Sequence, residues 1–161
     1  MLNKDKKAIE GRVNKLNNFI NEVEKANQLD ELDFKIIVKK INPSDIPNFS
    51  KYPYDYQYFV QTIGGVLTLN VGSYFALGMI KPEPIHECTS WGDEHNELSL
   101  IWAAFPSSCL LVASYPCDEE TIAFNTKTNP YTVMYGSWKD ETLLQKNAFL
   151  DFIEYQFSFL H

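Results

Sequence analysis

From Gly64-Gly65 onward the chain breaks into short runs of β-type residues separated by clusters of Gly, Pro, Asn, Asp and Ser. The runs are Val66 to Leu69, Tyr74 to Ile80, Leu98 to Ala104, Cys109 to Ser114, Thr121 to Phe124 and Tyr131 to Tyr135. Strands so closely spaced, with no helical period between them, pair as antiparallel neighbours, because a parallel pair needs a long crossover. The stretch from Phe124 to Tyr131, with Thr126, Asn129 and Pro130 inside it, reads as a hairpin connection.

Helices are expected at both ends of this array. Ile9, Val13, Leu16, Ile20 and Val23 fall at steps of four, three, four and three, one apolar stripe on a helix running from about Asp5 to Ala26. Leu144, Ala148, Phe149, Phe152, Ile153, Phe157 and Leu160 also fall at helical spacing and predict a closing amphipathic helix. Tyr54 to Ile63 reads as a short aromatic helix closed by Gly64-Gly65 in a left-handed cap. Phe34 to Ile41 fits either a helical face or a strand, and the β-branched run Ile36-Ile37-Val38 favours the strand. Pro43 and Pro47 mark the loop that follows. Aromatics around Pro53 suit either a core plug or an exposed patch, with Phe59 expected inside and at least one tyrosine outside. The expected fold class is α+β, a single antiparallel sheet of about five to six strands flanked by N-terminal and C-terminal helices. One domain is expected over residues 1–161, with the helix of residues 1–28 packed on it.

Three cysteines, Cys88, Cys109 and Cys117, are odd in number and irregularly spaced, which argues for reduced thiols. The first residues, Met1 to Lys7, lack the apolar core of a secretory signal, and no apolar stretch approaches the length of a membrane span. A cytoplasmic location is therefore expected. The net charge of -7 is unevenly spread: residues 1–40 carry +2, and residues 83–154 carry -9. An acidic C-terminal half repels nucleic acid and lipid headgroups and steers cationic partners, although an acidic balance also serves solubility alone.

The residues that chemistry requires are sparse. His86, Glu87, Cys88 and His95 match no zinc spacing, and His161 ends the chain. Ser107, Ser108 and Cys109 have no nucleophile elbow around them, and Cys109 opens an apolar run as a core residue would. The seven glycines form no phosphate-binding loop. No catalytic residue, metal site or cofactor is expected. A small hydrolase with a site among Tyr56, His95 and the acidic loops is a third alternative.

Three segments instead combine an aromatic residue with carboxylates. Trp91 lies near Asp93, Glu94 and Glu97; Tyr115 precedes Asp118, Glu119 and Glu120; Trp138 precedes Asp140 and Glu141. Aromatic area with a charged rim is the composition of a protein-binding hot spot. Each segment taken singly fits a core tryptophan beside a solvated turn equally well, and their recurrence favours recognition.

The order of features resembles the SUKH superfamily, known chiefly for bacterial immunity proteins that neutralise toxins. The resemblance runs from roughly Ile46 to Leu160. It is carried by Ile46-Pro47, the segment Tyr58 to Gly65 with its double glycine, and Trp91 ahead of a strand Leu100 to Phe105. Asp118 to Asn125, Pro130 to Tyr135 and the closing helix Asn147 to Ile153 complete it. Asn125 stands where an aspartate is usual, and Pro116-Cys117 replaces a common glycine. The resemblance implies an α+β fold and a partner that is a cognate toxin, for instance a basic nuclease, bound without nucleic acid or membrane. The rival expectation is a scaffold or regulatory module that adds a peptide strand to the edge at Phe34 to Ile41.

Overall fold

A computed structural model of the chain describes residues 2–88, 98, 100–115, 120–137, 140–146 and 149–160, with 140–146 described as backbone alone. Helix α1 (Asn3–Gln28) buries Val13, Leu16, Ile20 and Val23, four of the five residues of the expected stripe, with Ile9 half-buried above them. Its other faces are charged and exposed, so the helix lies along one side of the fold.

The strands are β1 (Phe34–Lys39), β2 (Val66–Val71), β3 (Tyr74–Pro84), β4 (Cys109–Tyr115), β5 (Glu120–Asn125), β6 (Thr132–Ser137) and β7 (Asp140–Lys146). They form one sheet in chain order, each antiparallel to the next. The fold class is the expected α+β, one antiparallel sheet with helices at both ends. Among the described residues the sheet has seven strands, because Phe34–Lys39 joins it as an edge and β7 adds a strand beyond β6.

Side chains alternate between the two faces, and each face has its own core. On one face Leu67, Leu77, Ile122, Phe124 and Val133 pack under α1, α2 (Tyr54–Thr62) and α4 (Phe149–Phe157). On the other, α3 (residues 100–103) carries Ile101 and Trp102, which join Leu98 and Phe105 over Cys109, Leu111 and Ala123. The indole Nε1 of Trp102 donates to Thr121 Oγ1 at 3.1 Å, and the Thr121 hydroxyl is 2.9 Å from Ser114 Oγ. Every polar atom in that buried row is thereby engaged in the second core.

Three local expectations are corrected. Leu98 to Ala104 is helical at residues 98 and 100–103, where a strand was expected, including the strand Leu100 to Phe105 of the resemblance. Leu98, Ile101, Trp102 and Phe105 are all buried at helical spacing, and Leu100 between them is 71% exposed; the apolar run masked a period of 3.6. Leu144 belongs to β7, opposite Tyr135, and the closing helix is described over Phe149–Phe157, with Asn147 and Ala148 outside the described residues. The double glycine also has a different cause from the expected left-handed cap. Gly64 has φ +155°, and a Cβ there would meet Val38 Cγ1 at 2.7 Å and the Lys39 carbonyl oxygen at 3.0 Å. Close approach of the end of β1 demands the glycine.

The aromatic cluster around Pro53 is a core plug. Tyr52, Tyr56 and Phe59 are buried, and Tyr56 meets Phe124 at 5.0 Å and Phe149 at 5.2 Å between ring centroids in edge-on geometry. Edge-to-face pairs contribute about 0.5–1.5 kcal/mol each beyond their area burial. Tyr54 and Tyr58 are half-buried and bond α1 instead, to Glu10 Oε1 at 2.6 Å and Asn14 Oδ1 at 3.3 Å.

One charged residue lies inside this core. Asp55, 4% exposed, accepts the backbone N–H of Tyr56 through Oδ1 at 2.8 Å and that of Leu150 through Oδ2 at 2.9 Å. A residue of α2 thus caps the N-terminus of α4, whose first N–H groups have no partner within their own helix. Burial raises the Asp55 carboxyl above its ordinary value of 3.8, opposed by the N–H groups of Leu150, Tyr56 and Phe149.

The outer edge of β1 is occupied by a side chain. Asn27, near the end of α1, donates Nδ2 to the Phe34 carbonyl at 2.8 Å and accepts the Ile36 N–H at 3.4 Å. Its amide imitates a neighbouring strand, one way of protecting a sheet edge.

Asp55→Ala is expected to cost about 2–4 kcal/mol in urea denaturation, because it strands buried N–H donors. A loss below about 1 kcal/mol would mean that α4 is capped by other means. With its folded value raised, Asp55 contributes stability fully below its ordinary 3.8, and that contribution is lost as pH rises through the folded value. The stability of the wild type relative to Asp55→Asn should therefore fall across that interval, and a rise would reverse the assignment. Asn27→Ala should cost about 1 kcal/mol and increase self-association on size exclusion, since it uncovers the edge. An unchanged elution profile at high concentration would show that the edge needs no such cover.

Candidate functional site

Of the residues expected to bind a partner, Trp91, Asp93, Glu94, Glu97, Asp118, Glu119 and Trp138 lie outside the described residues. Asp140 and Glu141 open β7, where the backbone alone is described. Glu120 is the first residue of β5. Strand register relates two of these positions. Glu120 pairs with Tyr115 on one side and Ser137 on the other, and Ser137 pairs with Asp140. Tyr115, Glu120, Ser137 and Asp140 form one row across the end of the sheet, with Glu120 and Asp140 about 10 Å apart at two strand spacings.

Glu120 shares its sheet face with Ile122 and Phe124, the face covered by α4. It is half-buried at the rim, where the core gives way to a cleft of about 380 Å³ lined by Glu120, Tyr135, Asp151, Phe152 and Tyr155. Tyr135 comes from β6 opposite Ile122, and the last three come from α4. Gln156, 1% exposed, donates Nε2 to Glu120 Oε2 at 3.1 Å and fixes the carboxylate at the wall of the cleft.

The outer face of α4 continues this chemistry. Asp151 and Tyr155 on α4 and Phe159 in the 3-10 turn after it (Ser158–Leu160) follow one another at intervals of four residues, and the rings of Tyr155 and Phe159 meet edge-on at 5.0 Å. They are exposed, Tyr155 to 55% and Phe159 to 58%, whereas Phe149, Phe152, Ile153 and Phe157 of the same helix face the core. Exposed large aromatics beside carboxylates are uncommon on a surface that meets only water.

Arg12 of α1 balances part of the charge. Its Nη2 bonds Asp151 Oδ1 at 2.6 Å and also reaches Glu154 Oε1, which accepts from Nε at 3.0 Å as well. The Glu154 bond is the largest cause holding the guanidinium protonated above its ordinary range, and burial opposes it.

Other candidates have structural explanations. Tyr56 is fully buried and in contact with aromatic rings, so it cannot touch a substrate. His86 places Nε2 2.8 Å from the Phe105 carbonyl oxygen, tying α3 to the end of β3. Cys109 is buried, as expected of a core residue, and burial pushes its thiol up to about 11. No helix among the described residues is long and apolar enough to cross a membrane.

Sequence reasoning missed Tyr135, Asp151, Phe152, Tyr155 and Gln156. A signal for them existed in the alternation Glu120, Ile122, Phe124, which places a carboxylate on the core face, and in the four-residue repeat Asp151, Tyr155, Phe159. No family model, curated protein or solved structure matches this chain.

Arg12→Ala should lower stability by only about 0.2–1 kcal/mol, with the difference shrinking in high salt, because the pair is largely solvated. A loss above about 2 kcal/mol, insensitive to salt, would mean that the guanidinium holds α1 and α4 together by packing.

Proposed function

We propose that this chain is a protein-binding protein of the immunity type, which captures a basic toxin and occludes its active site with the acidic surface built on α4 and the row at Glu120. The observation that carries the reading is the exposed stripe Asp151, Tyr155 and Phe159 beside the cleft at Glu120. Aromatic rings supply contact area that is desolvated on binding at small entropic cost, and carboxylates around them steer a cationic partner and fix its register. The charge of -9 over residues 83–154 gives that steering its range, and the order of motifs resembling SUKH immunity proteins gives the class of partner. Asp140 lies in the same sheet row, at the start of β7. The rival reading, a peptide strand added to β1, is disfavoured by the Asn27 amide that already engages Phe34 and Ile36.

Affinity capture from the native host, with neighbouring genes expressed, should retain a basic partner whose toxicity the chain suppresses. Glu120→Lys combined with Asp151→Lys should weaken that capture at least tenfold, chiefly through slower association, and abolish protection in cells. Tyr155→Ala should accelerate dissociation. Capture unaffected by these changes and by salt would place the interface elsewhere.

A further inference from the structure

Asn27 covers only the start of β1. Successive residues of a strand in an antiparallel pair turn their N–H and C=O groups alternately towards and away from the neighbour. Asn27 bonds the Phe34 carbonyl and the Ile36 N–H from outside, so Phe34, Ile36 and Val38 point their groups outward while Ile37 faces β2. The next outward pair, the Ile36 carbonyl and the Val38 N–H, takes no hydrogen bond outside the ladder among the described residues. A cleft of about 330 Å³ opens beside it. One wall is the face of α1 that carries Asn27, since Asn17, Asn21 and Glu24 precede it at steps of four, three and three. Val38 and Lys40 line the cleft from the strand side, joined by Thr62 at the end of α2. Because α1 ends where β1 begins, Asn27 closes one end of the cleft, with Glu24 one turn away, and Asn17 and Lys40 stand at the other.

We infer that this cleft receives the free amino terminus of a partner protein, its first residues extended along the uncovered half of β1 and its ammonium set against Glu24 and the Ile36 carbonyl. The inference goes beyond the proposed function and does not depend on the face of α4. Unpaired backbone groups at a strand edge are a template for an added chain, and main-chain bonds to them hold a guest of varied sequence. A guest strand running the full length of β1 is excluded by Asn27, and α1 leaves no room beside Val38 for the sheet of a second copy. A single chain that stops at Asn27 meets both limits. Of the two kinds of chain end, Glu24 repels a carboxylate and attracts an ammonium, whose three donors suit a carboxylate and a carbonyl together. Such a guest runs parallel to β1 and leaves past Lys40, about 13 Å from Ile36 at about 3.3 Å per residue, so the cleft grips its first two or three residues. Lys40 at the exit favours an acidic residue next in the guest.

The test begins with hydrogen exchange of the free chain. The Val38 amide should exchange at least about tenfold faster than that of Ile37, which faces β2. Equal protection of the two would mean that the ladder position is not open, and the inference would fall. Amide-proton NMR of the full chain then uses a tetrapeptide amide of alanine, valine, alanine and glutamate as probe, with its amine either free or acetylated. The free amine should bind in the millimolar range, with saturable shifts at Val38, Lys40, Thr62 and residues 17–24, and should slow exchange at Val38. Acetylation should weaken binding at least about fivefold, and Glu24→Gln should weaken the free amine severalfold while leaving the urea midpoint unchanged. Shifts absent from the cleft, or equal binding of the two peptides, would overturn the inference.

Discussion

A carboxylate from one short helix meets the N-terminus of another, and the placement of the acidic and aromatic face of α4 follows from that contact. Helix α4 must lie over β5 and β6 to cover Ile122, Phe124 and Val133, which brings its first N–H groups into the core. Water cannot reach them there, so an acceptor has to come from the protein. Asp55 supplies it from α2, 95 residues away in the chain, and the rings of Tyr56, Phe59 and Phe149 close around the joint. The cost is a desolvated carboxylate, offset by backbone donors and by the burial of the aromatic cluster. With its first turn fixed, the rotation of α4 is fixed too. Phe152 and Phe157 turn inward, and Asp151, Tyr155 and Phe159 turn out.

The sheet contributes the other half of that face through its register. A meander in which each strand pairs with its sequence neighbour brings the ends of β4, β5, β6 and β7 into one row. Positions 120 and 140 therefore fall in one row without a long-range crossover. The two edges of such a sheet differ: the Asn27 amide covers the start of β1 at Phe34 and Ile36, and the acidic positions lie towards β7. Structural cover on one side and acidic charge on the other give the molecule a polarity that the charge distribution along the chain already foreshadows.

Periodic elements were legible because their pattern is local. Four residues of the apolar stripe of α1 are buried, Phe34–Lys39 is a strand, and the hairpin after Phe124 joins β5 to β6. Errors arose where two periods coincide. Leu98 to Phe105 is apolar enough to read as a strand, and only the burial of Leu98, Ile101, Trp102 and Phe105 separates helix from strand. Leu144 fits the helical spacing of α4 by accident and pairs with Tyr135 in the sheet. Of the acidic positions, Glu120 alone could be read as facing a cleft, and only together with its alternation partners. Tyr135, Asp151 and Gln156 join it through tertiary packing between β5, β6 and α4, which no local pattern encodes. Asp55 carries no local signal for the same reason, since its partner is Leu150.

Native-state hydrogen exchange at the Leu150 amide tests the anchoring of α4 most directly. The Asp55 bond predicts protection comparable to the central strand residues Leu111 and Ile122, so that opening of this amide requires the global unfolding of the chain. Exchange of Leu150 at the rate of a fraying helix end, while Leu111 and Ile122 stay protected, would contradict it. The face proposed to bind a partner would then not be held in place by the core.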